Sequence, residues 1–255
     1  MFRLSLLAGL ICLCFLCVIP ASGFEAQGED CSKCHQLKTE EADNLLRGLI
    51  PSLKVLQVNP SPLRGFWEVY LESGGRKGLM YIDFAKKLAF SGALISIADK
   101  KNLSQDRLTD LNRVDVSQIP LDDAVVMGDP KAKIRIIAFD DPECPYCARL
   151  HQEMKKIIEE RKDIAFFIKM FPLKIHAGAY EKAKAIVCAK SAALLDDAHL
   201  GKSLPKPSCE TTAVDESLKL GEKLGIQSVP TLILPDGRVL PGSRDAKTLL
   251  ALIGN

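Results

Sequence analysis

The 255-residue chain has no surplus of charge. Its 34 Lys and Arg against 32 Asp and Glu leave a formal +2, and the two signs are interspersed. With no basic stripe there is no electrostatic footprint for nucleic acid, which is not expected as a partner. Internal repeats and low-complexity tracts are absent too, which excludes a repeat array, and the 47% hydrophobic content is ordinary for a chain that buries a core. Long apolar runs are limited to one, Leu4 to Ile19, so no transmembrane candidate remains beyond the first residues. That run follows Arg3 and precedes Pro20 and the small residues Ala21-Ser22-Gly23, the layout of a secretory signal over residues 1–23. A retained anchor is the alternative, but the run is short for a span of about 20 residues and the small residues sit where a signal peptidase cuts. Ile11, Leu13 and Leu16 precede Cys12, Cys14 and Cys17, and none is small enough for a lipoprotein cut.

What the chain does have is cysteine. Removing residues 1–23 leaves Cys31, Cys34, Cys144, Cys147, Cys188 and Cys209, an even set in an exported chain, with two pairs at C-x-x-C spacing. The segment 24–38 holds Cys31-Ser-Lys-Cys34-His35. C-x-x-C-H is the attachment pattern for c-type haem, with the histidine on iron, and C-x-x-C alone is a common dithiol. Both readings stand, haem or a plain thiol pair, with a metal site a distant third. Only a few residues separate the expected cleavage site from Cys31, so there is no separate cytochrome domain.

Residues 39–100 read as a small α+β unit. Thr39 is placed to cap a helix with Glu40 and Glu41 in its first turn, and strands follow at 65–72, 79–84 and 88–97 in a meander. Residues 101–127 are polar and read as a partly helical linker with an amphipathic stretch at Leu103–Leu111. From 128 to 255 the pattern is α/β. Strands are expected at 134–139, 164–170, 231–234 and 238–240, a helix at 144–160, a helical region at 177–224 and a last helix capped by Asp245.

The chemistry centres on FDDPECPYCARLHQEM, Phe139 to Met154. A strand runs into a helix whose first turn holds Cys144-Pro145-Tyr146-Cys147. The unpaired N–H groups and positive dipole end favour the Cys144 thiolate, and Pro145 loses no hydrogen bond at the first helical position. Cys147, one turn on, can resolve the mixed disulfide that Cys144 forms. A zinc half-site needs further ligands, and no second Cys/His cluster accompanies this one in the domain. Asp140, Asp141 and Glu143 could raise the Cys144 pKa or assist proton transfer. His151 lies one turn beyond Cys147, near the dithiol or in solvent, and His176 and His199 read as surface residues. Cys188 and Cys209, with 20 residues between them, read as a structural disulfide whose loop would stabilise by about 3 kcal/mol.

Several stretches carry a resemblance: NPSPLRGFWEVY, FDDPECPYCARLHQEM, IVCAK, PSC and LGIQSVPTLILPDGRVLPG. Together they resemble the DsbC-type periplasmic protein disulfide isomerases, of which DsbG is a sister branch. The resemblance implies an α+β N-terminal dimerisation domain, then a linker helix. An α/β thioredoxin-like fold with a helical insertion follows. It implies a periplasmic homodimer that acts on misfolded or mis-disulfided exported proteins, is kept reduced by a membrane thiol reductase of the DsbD type, and requires no cofactor. By position, Cys144 is the attacking thiol, Cys147 the resolving one, Pro230 the cis proline beside them, and Cys188–Cys209 the structural disulfide. Two positions depart from the best-known isomerase: Pro-Tyr stands for Gly-Tyr between the cysteines, and Val229 for Thr before Pro230. Both tune the redox potential, so a DsbA-like thiol oxidase is the alternative. A chaperone-like module and a haem-bearing electron carrier at CSKCH are the further classes.

Overall fold

Acidic Glu40 and Glu41 in the first turn and Arg47 in the last complement the dipole of α1 (Thr39–Arg47). This helix opens the N-terminal lobe of the structure, a computed structural model that describes residues 34–254. The expected signal segment 1–23 and Cys31 lie outside the described residues. Lys38, not Thr39, occupies the cap position, and no side chain caps the helix. Four antiparallel strands follow in meander order: β1 (Leu53–Pro60), β2 (Phe66–Ser73), β3 (Arg76–Asp83) and β4 (Ala89–Phe90). Ala42 and Leu46 of α1 pack with Val55, Trp67, Val69 and Ile82 of the sheet. Sequence reasoning anticipates β2 and β3. It misses β1 and overextends β4, which was expected over 88–97 and pairs only at Ala89 and Phe90.

The polar stretch after the first lobe holds α2 (Leu103–Leu111), where the amphipathic pattern places it, capped by Asn102. It lies on the meander through polar contacts. Arg107 donates to the buried Glu68 (2.8 Å), the Tyr81 and Ser104 hydroxyls meet at 2.6 Å, and the Tyr70 hydroxyl donates to Asn112 (2.6 Å). Beyond it, the Val114 N–H donates to the Gly237 carbonyl (2.9 Å). Gly237 has φ +84°, and a Cβ there would stand 2.2 Å from the Val114 carbonyl oxygen, so the close approach requires glycine.

The second lobe is a five-stranded sheet with helices against it. In chain order it comprises β5 (Val125–Met127), β6 (Ile134–Asp140), α3 (Pro145–Glu160), β7 (Ile164–Met170), α4 (Ala179–Ala189), α5 (Ala192–His199), α6 (Ala213–Lys223), β8 (Thr231–Ile233), β9 (Val239–Pro241) and α7 (Ala246–Ile253). The strand order is β5-β7-β6-β8-β9, with β6 and β7 parallel and the other neighbours antiparallel. Strand β7 is buried at all seven positions, as its near-continuous apolar run IAFFIKM demands of a central strand. Ile136, Ala138, Leu150, Met154, Phe166 and Ile168 are fully buried between α3 and the sheet. Strand β5 falls within the stretch read as linker, so the sheet begins before residue 128. The helical region 177–224 is three helices, with an extended stretch between α5 and α6 that the Cys188–Cys209 disulfide ties to the end of α4. Asp245 caps α7 by accepting from the Thr248 N–H (2.8 Å). Among the described residues no helix is long and apolar enough to cross a membrane.

Candidate active site

Strand β6 delivers the chain to the edge of the core, and four residues later Cys144 stands at the N-cap of α3 with Pro145 in the first helical position. The Cys144 N–H donates to the Asp141 carbonyl (3.0 Å), which closes the turn. Cys144 is 5% exposed and Cys147 fully buried, so the turn presents one sulfur and hides the other. Both sit in an apolar cluster with Phe139, Phe171, Ile226 and Val229.

The two thiols titrate apart. A hydrogen bond from the Cys147 thiol, aided by the backbone N–H groups of Cys147 and Tyr146, lowers the Cys144 pKa from 9.0 to about 6; burial and the Asp141 charge oppose the shift. Burial pushes the Cys147 thiol strongly up, and Cys144 and the charge of Asp140 push the same way. The Asp141 N–H donates to the Cys147 sulfur (3.4 Å), and the Cys144 sulfur lies 3.8 Å from the Val229 carbonyl oxygen. Val229-Pro230 is cis, and the loop before β8 borders the dithiol through its Val229 carbonyl.

The acidic residues before the dithiol have three separate duties. Asp141 is fully buried; it accepts from the Glu143 N–H (2.8 Å) and the Leu173 N–H (2.7 Å) and pairs with His176 Nδ1 (2.7 Å), which holds the imidazole pKa above its usual value. Glu143 accepts from Lys182 (2.8 Å) and the Gly178 N–H (3.2 Å), and Lys182 holds its carboxyl below the usual range. Asp140 is buried against Cys147 and His199.

The surface readings of His176 and His199 need correction, and of the two places open to His151 the solvated one is excluded. His151 is fully buried, because its place on α3 one turn past Cys147 faces the sheet and α5. The His199 side chain is 2% exposed against Asp140, and His176 is half-buried in its ion pair with Asp141, so neither is a free surface residue. Phe171 and Lys182 were missed, since each reaches the site from a different element with no local pattern to announce it. Cys34 and His35 are exposed, while their expected companion Cys31 lies outside the described residues. Among the described residues no group of three or more His, Cys, Asp or Glu could hold a metal ion.

Both lobes have relatives among known proteins. A family model for the thioredoxin-like domain matches residues 121–255, and one for the disulfide bond isomerase protein N-terminal domain matches residues 35–105. A probable thiol:disulfide interchange protein DsbC of Bordetella avium is 32% identical over 186 residues, covering 72% of this chain and 63% of the relative. The thiol:disulfide interchange protein DsbC of Salmonella typhimurium is 30% identical over 202 residues, covering 77% of this chain and 80% of the relative. A solved structure of a disulfide interchange protein from Neisseria gonorrhoeae is 29% identical, covering 53% of this chain and 96% of that one, with a TM-score of 0.46. The order of an isomerase N-terminal domain and then a thioredoxin-like domain is that of this chain, which belongs to the DsbC family of thiol:disulfide interchange proteins, a family of thiol-disulfide oxidoreductases.

Proposed function

We propose that the chain isomerises or reduces non-native disulfides in exported proteins through the Cys144–Cys147 dithiol. The observation that carries this reading is the split between a nearly buried Cys144 poised as thiolate and a fully buried Cys147 held as thiol. The Cys144 thiolate attacks a substrate disulfide, forming a mixed disulfide and releasing one substrate thiolate. If another substrate thiol then attacks the mixed disulfide at the substrate's sulfur, a new substrate disulfide forms and Cys144 leaves as thiolate, with no net redox change. If Cys147 attacks the Cys144 sulfur instead, the substrate leaves reduced and the Cys144–Cys147 disulfide holds the two electrons' worth of oxidation. A membrane thiol reductase of the DsbD type would then restore the dithiol.

The working unit is a homodimer, built through the N-terminal lobe. Its edge strand β4 pairs only with β3 among the described residues, and exposed Leu88, Phe90, Ile95 and Ile97 lie just before, on and after it. Residues 39–100 serve as this dimerisation domain, the polar stretch from residue 101 joins it to the catalytic domain, which takes in β5 and runs to residue 255, and Cys188–Cys209 is structural. The periplasm, reached by a cleavable signal at 1–23, suits the three cysteine pairs. No group at Cys31, Cys34 and His35 is needed for the chemistry; a haem there would show as a Soret band in the purified exported protein.

A thiol oxidase is the second reading, favoured by the low Cys144 pKa, since a stabilised reduced form makes an oxidising disulfide. Recovery of ribonuclease activity from the scrambled, fully oxidised enzyme separates the two. An isomerase restores it and Cys144→Ala abolishes the effect, whereas an oxidase acts on reduced ribonuclease and leaves the scrambled form inactive. Full recovery with Cys144→Ala would instead mark a thiol-independent chaperone.

A further inference from the structure

The turn that presents Cys144 is built on a buried carboxylate. Asp141 is fully buried, its carbonyl takes the Cys144 N–H (3.0 Å), and its own N–H reaches the Cys147 sulfur (3.4 Å). Its side chain fastens two further stretches: Oδ1 accepts from the Glu143 N–H (2.8 Å), and Oδ2 from the Leu173 N–H (2.7 Å) in the loop between β7 and α4. Both oxygens accept, so an amide, with one acceptor oxygen, could not replace the carboxylate. The turn therefore keeps a negative charge beside the sulfur that must itself become negative, and that charge acts against the Cys144 thiolate.

A cation stands on this carboxylate. His176, three residues beyond Leu173, sets Nδ1 2.7 Å from Asp141 Oδ2, and its side chain is 22% exposed, so the ring exchanges protons with water. Its backbone is fixed as well: its N–H donates to the Leu173 carbonyl (3.0 Å), and its carbonyl accepts from the Ala179 N–H (3.2 Å) at the start of α4. The charged groups that face the imidazole are Asp141 and Glu143 from the turn and Cys144 from the cap of α3. Lys182 of α4 is engaged by Glu143 (2.8 Å). The bond to Asp141 raises the imidazole pKa against a smaller loss from burial, and the charges of Cys144 and Glu143 raise it further. Fastening the loop does not require the ring, because the Leu173 N–H already ties it to Asp141. What the ring adds is a positive charge.

We propose that His176 is a positioning residue of the dithiol, whose imidazolium on Asp141 cancels the carboxylate's charge and so keeps Cys144 a thiolate. The inference rests on the interchange reading above, which gives His176 no role of its own. Loss of the imidazolium proton at higher pH uncovers the Asp141 charge, and the sulfur becomes more basic and, while still ionised, a faster nucleophile. Linkage runs both ways: whatever the imidazolium contributes to the thiolate, the thiolate contributes to the imidazolium. Oxidation of Cys144 and Cys147 to their disulfide removes the thiolate charge and lowers the affinity of His176 for its proton in about the same ratio.

The test follows the His176 imidazole by NMR in the isotope-labelled full chain with Cys31 and Cys34 replaced by Ser. The protein is titrated reduced, and again after oxidation by oxidised glutathione, which leaves as two molecules of reduced glutathione. The His176 midpoint is expected to fall on oxidation by at least about 0.7 pH unit, about a fivefold coupling. Equal midpoints in the two forms overturn the proposal, and this comparison needs no substitution at His176. His176→Asn keeps a neutral donor near the place of Nδ1 and removes the charge. Its Cys144 alkylation midpoint is expected to rise above about 6 by the same amount. The parent's alkylation rate should climb a second time as the imidazolium deprotonates, a step the variant lacks. A merely structural tie moves neither midpoint, so an unshifted Cys144 midpoint in the folded variant also overturns the proposal. Failure to form the Cys144–Cys147 disulfide, read by peptide mass, is a distinct result that overturns the dithiol reading and the proposal with it.

Discussion

At the scale of single residues, Cys144 and Cys147 share a helix turn and differ by what surrounds them. Hydrogen bonds aimed at one sulfur and burial of the other set which is held as thiolate. The low Cys144 pKa is also a statement about stability. Between pH 6 and 9 the folded, reduced protein carries the thiolate while the unfolded chain keeps the proton, so stability rises with pH across that window and the gain is lost as pH falls through about 6. The reduced form should therefore gain on the oxidised form, which has no thiol there, by up to about 1.4 kcal/mol per pH unit. Urea midpoints of the two forms measured from pH 5.5 to 8 check this, and curves that stay parallel would contradict it. The dithiol and Pro230 were legible in the sequence because their chemistry depends on neighbours in the chain: a strand end, a helix start, an X-Pro bond. The environments of His151, His176 and His199 were not, because each is set by a contact between elements far apart in sequence, and nothing at His199 itself announces Asp140.

At the scale of elements, α6 supports the site through a missing side chain. Gly221 is buried under Phe171, and a Cβ there would stand 2.2 Å from the Phe171 ring, which packs edge-to-face on Phe139 and joins the cluster around the dithiol. Gly221→Ala should gain about 1 kcal/mol in helix propensity and lose more by overpacking, about 1–3 kcal/mol, for a net loss of stability. Thermal unfolding reads the sign, and a stabilised variant would show that Phe171 moves aside freely. Elements with a sustained period or a continuous apolar run, α2, α3, β6 and β7, were readable in advance. Strand β1 was not, because the register shifts between Val55 and Gln57 and breaks the alternation a strand is recognised by. Strand β5 is three residues long and takes its identity from pairing with β7. Strand β4 reads longer than it is because Leu94, Ile95 and Ile97 are apolar, yet Ile95 and Ile97 are exposed and the stretch adds to no strand, its backbone bonding instead to Lys101, Leu103 and Ser104 around the Ile95–Asn102 bridge.

At the scale of the whole molecule, the proposed function gives the N-terminal lobe the purpose of pairing two catalytic domains. A lone thioredoxin-like domain can exchange disulfides, whereas a pair held by their N-terminal lobes can hold a misfolded chain while doing so. Leu88→Asp combined with Ile97→Asp places charge on the exposed apolar edge, and light scattering should then report half the mass of the parent protein. Isomerisation of scrambled ribonuclease should fall while reduction of a small disulfide persists; an unchanged mass would place the dimer contact elsewhere.

The most direct measurement is alkylation by iodoacetamide over pH 4–10, with the label on Cys144 and Cys147 read separately by peptide mass spectrometry. A Cys144 midpoint at about 6, with Cys147 unlabelled in the folded protein across the range, is the predicted result. Equal labelling of the two thiols, or a Cys144 midpoint near 9.0, would contradict the division of labour on which the proposed function stands.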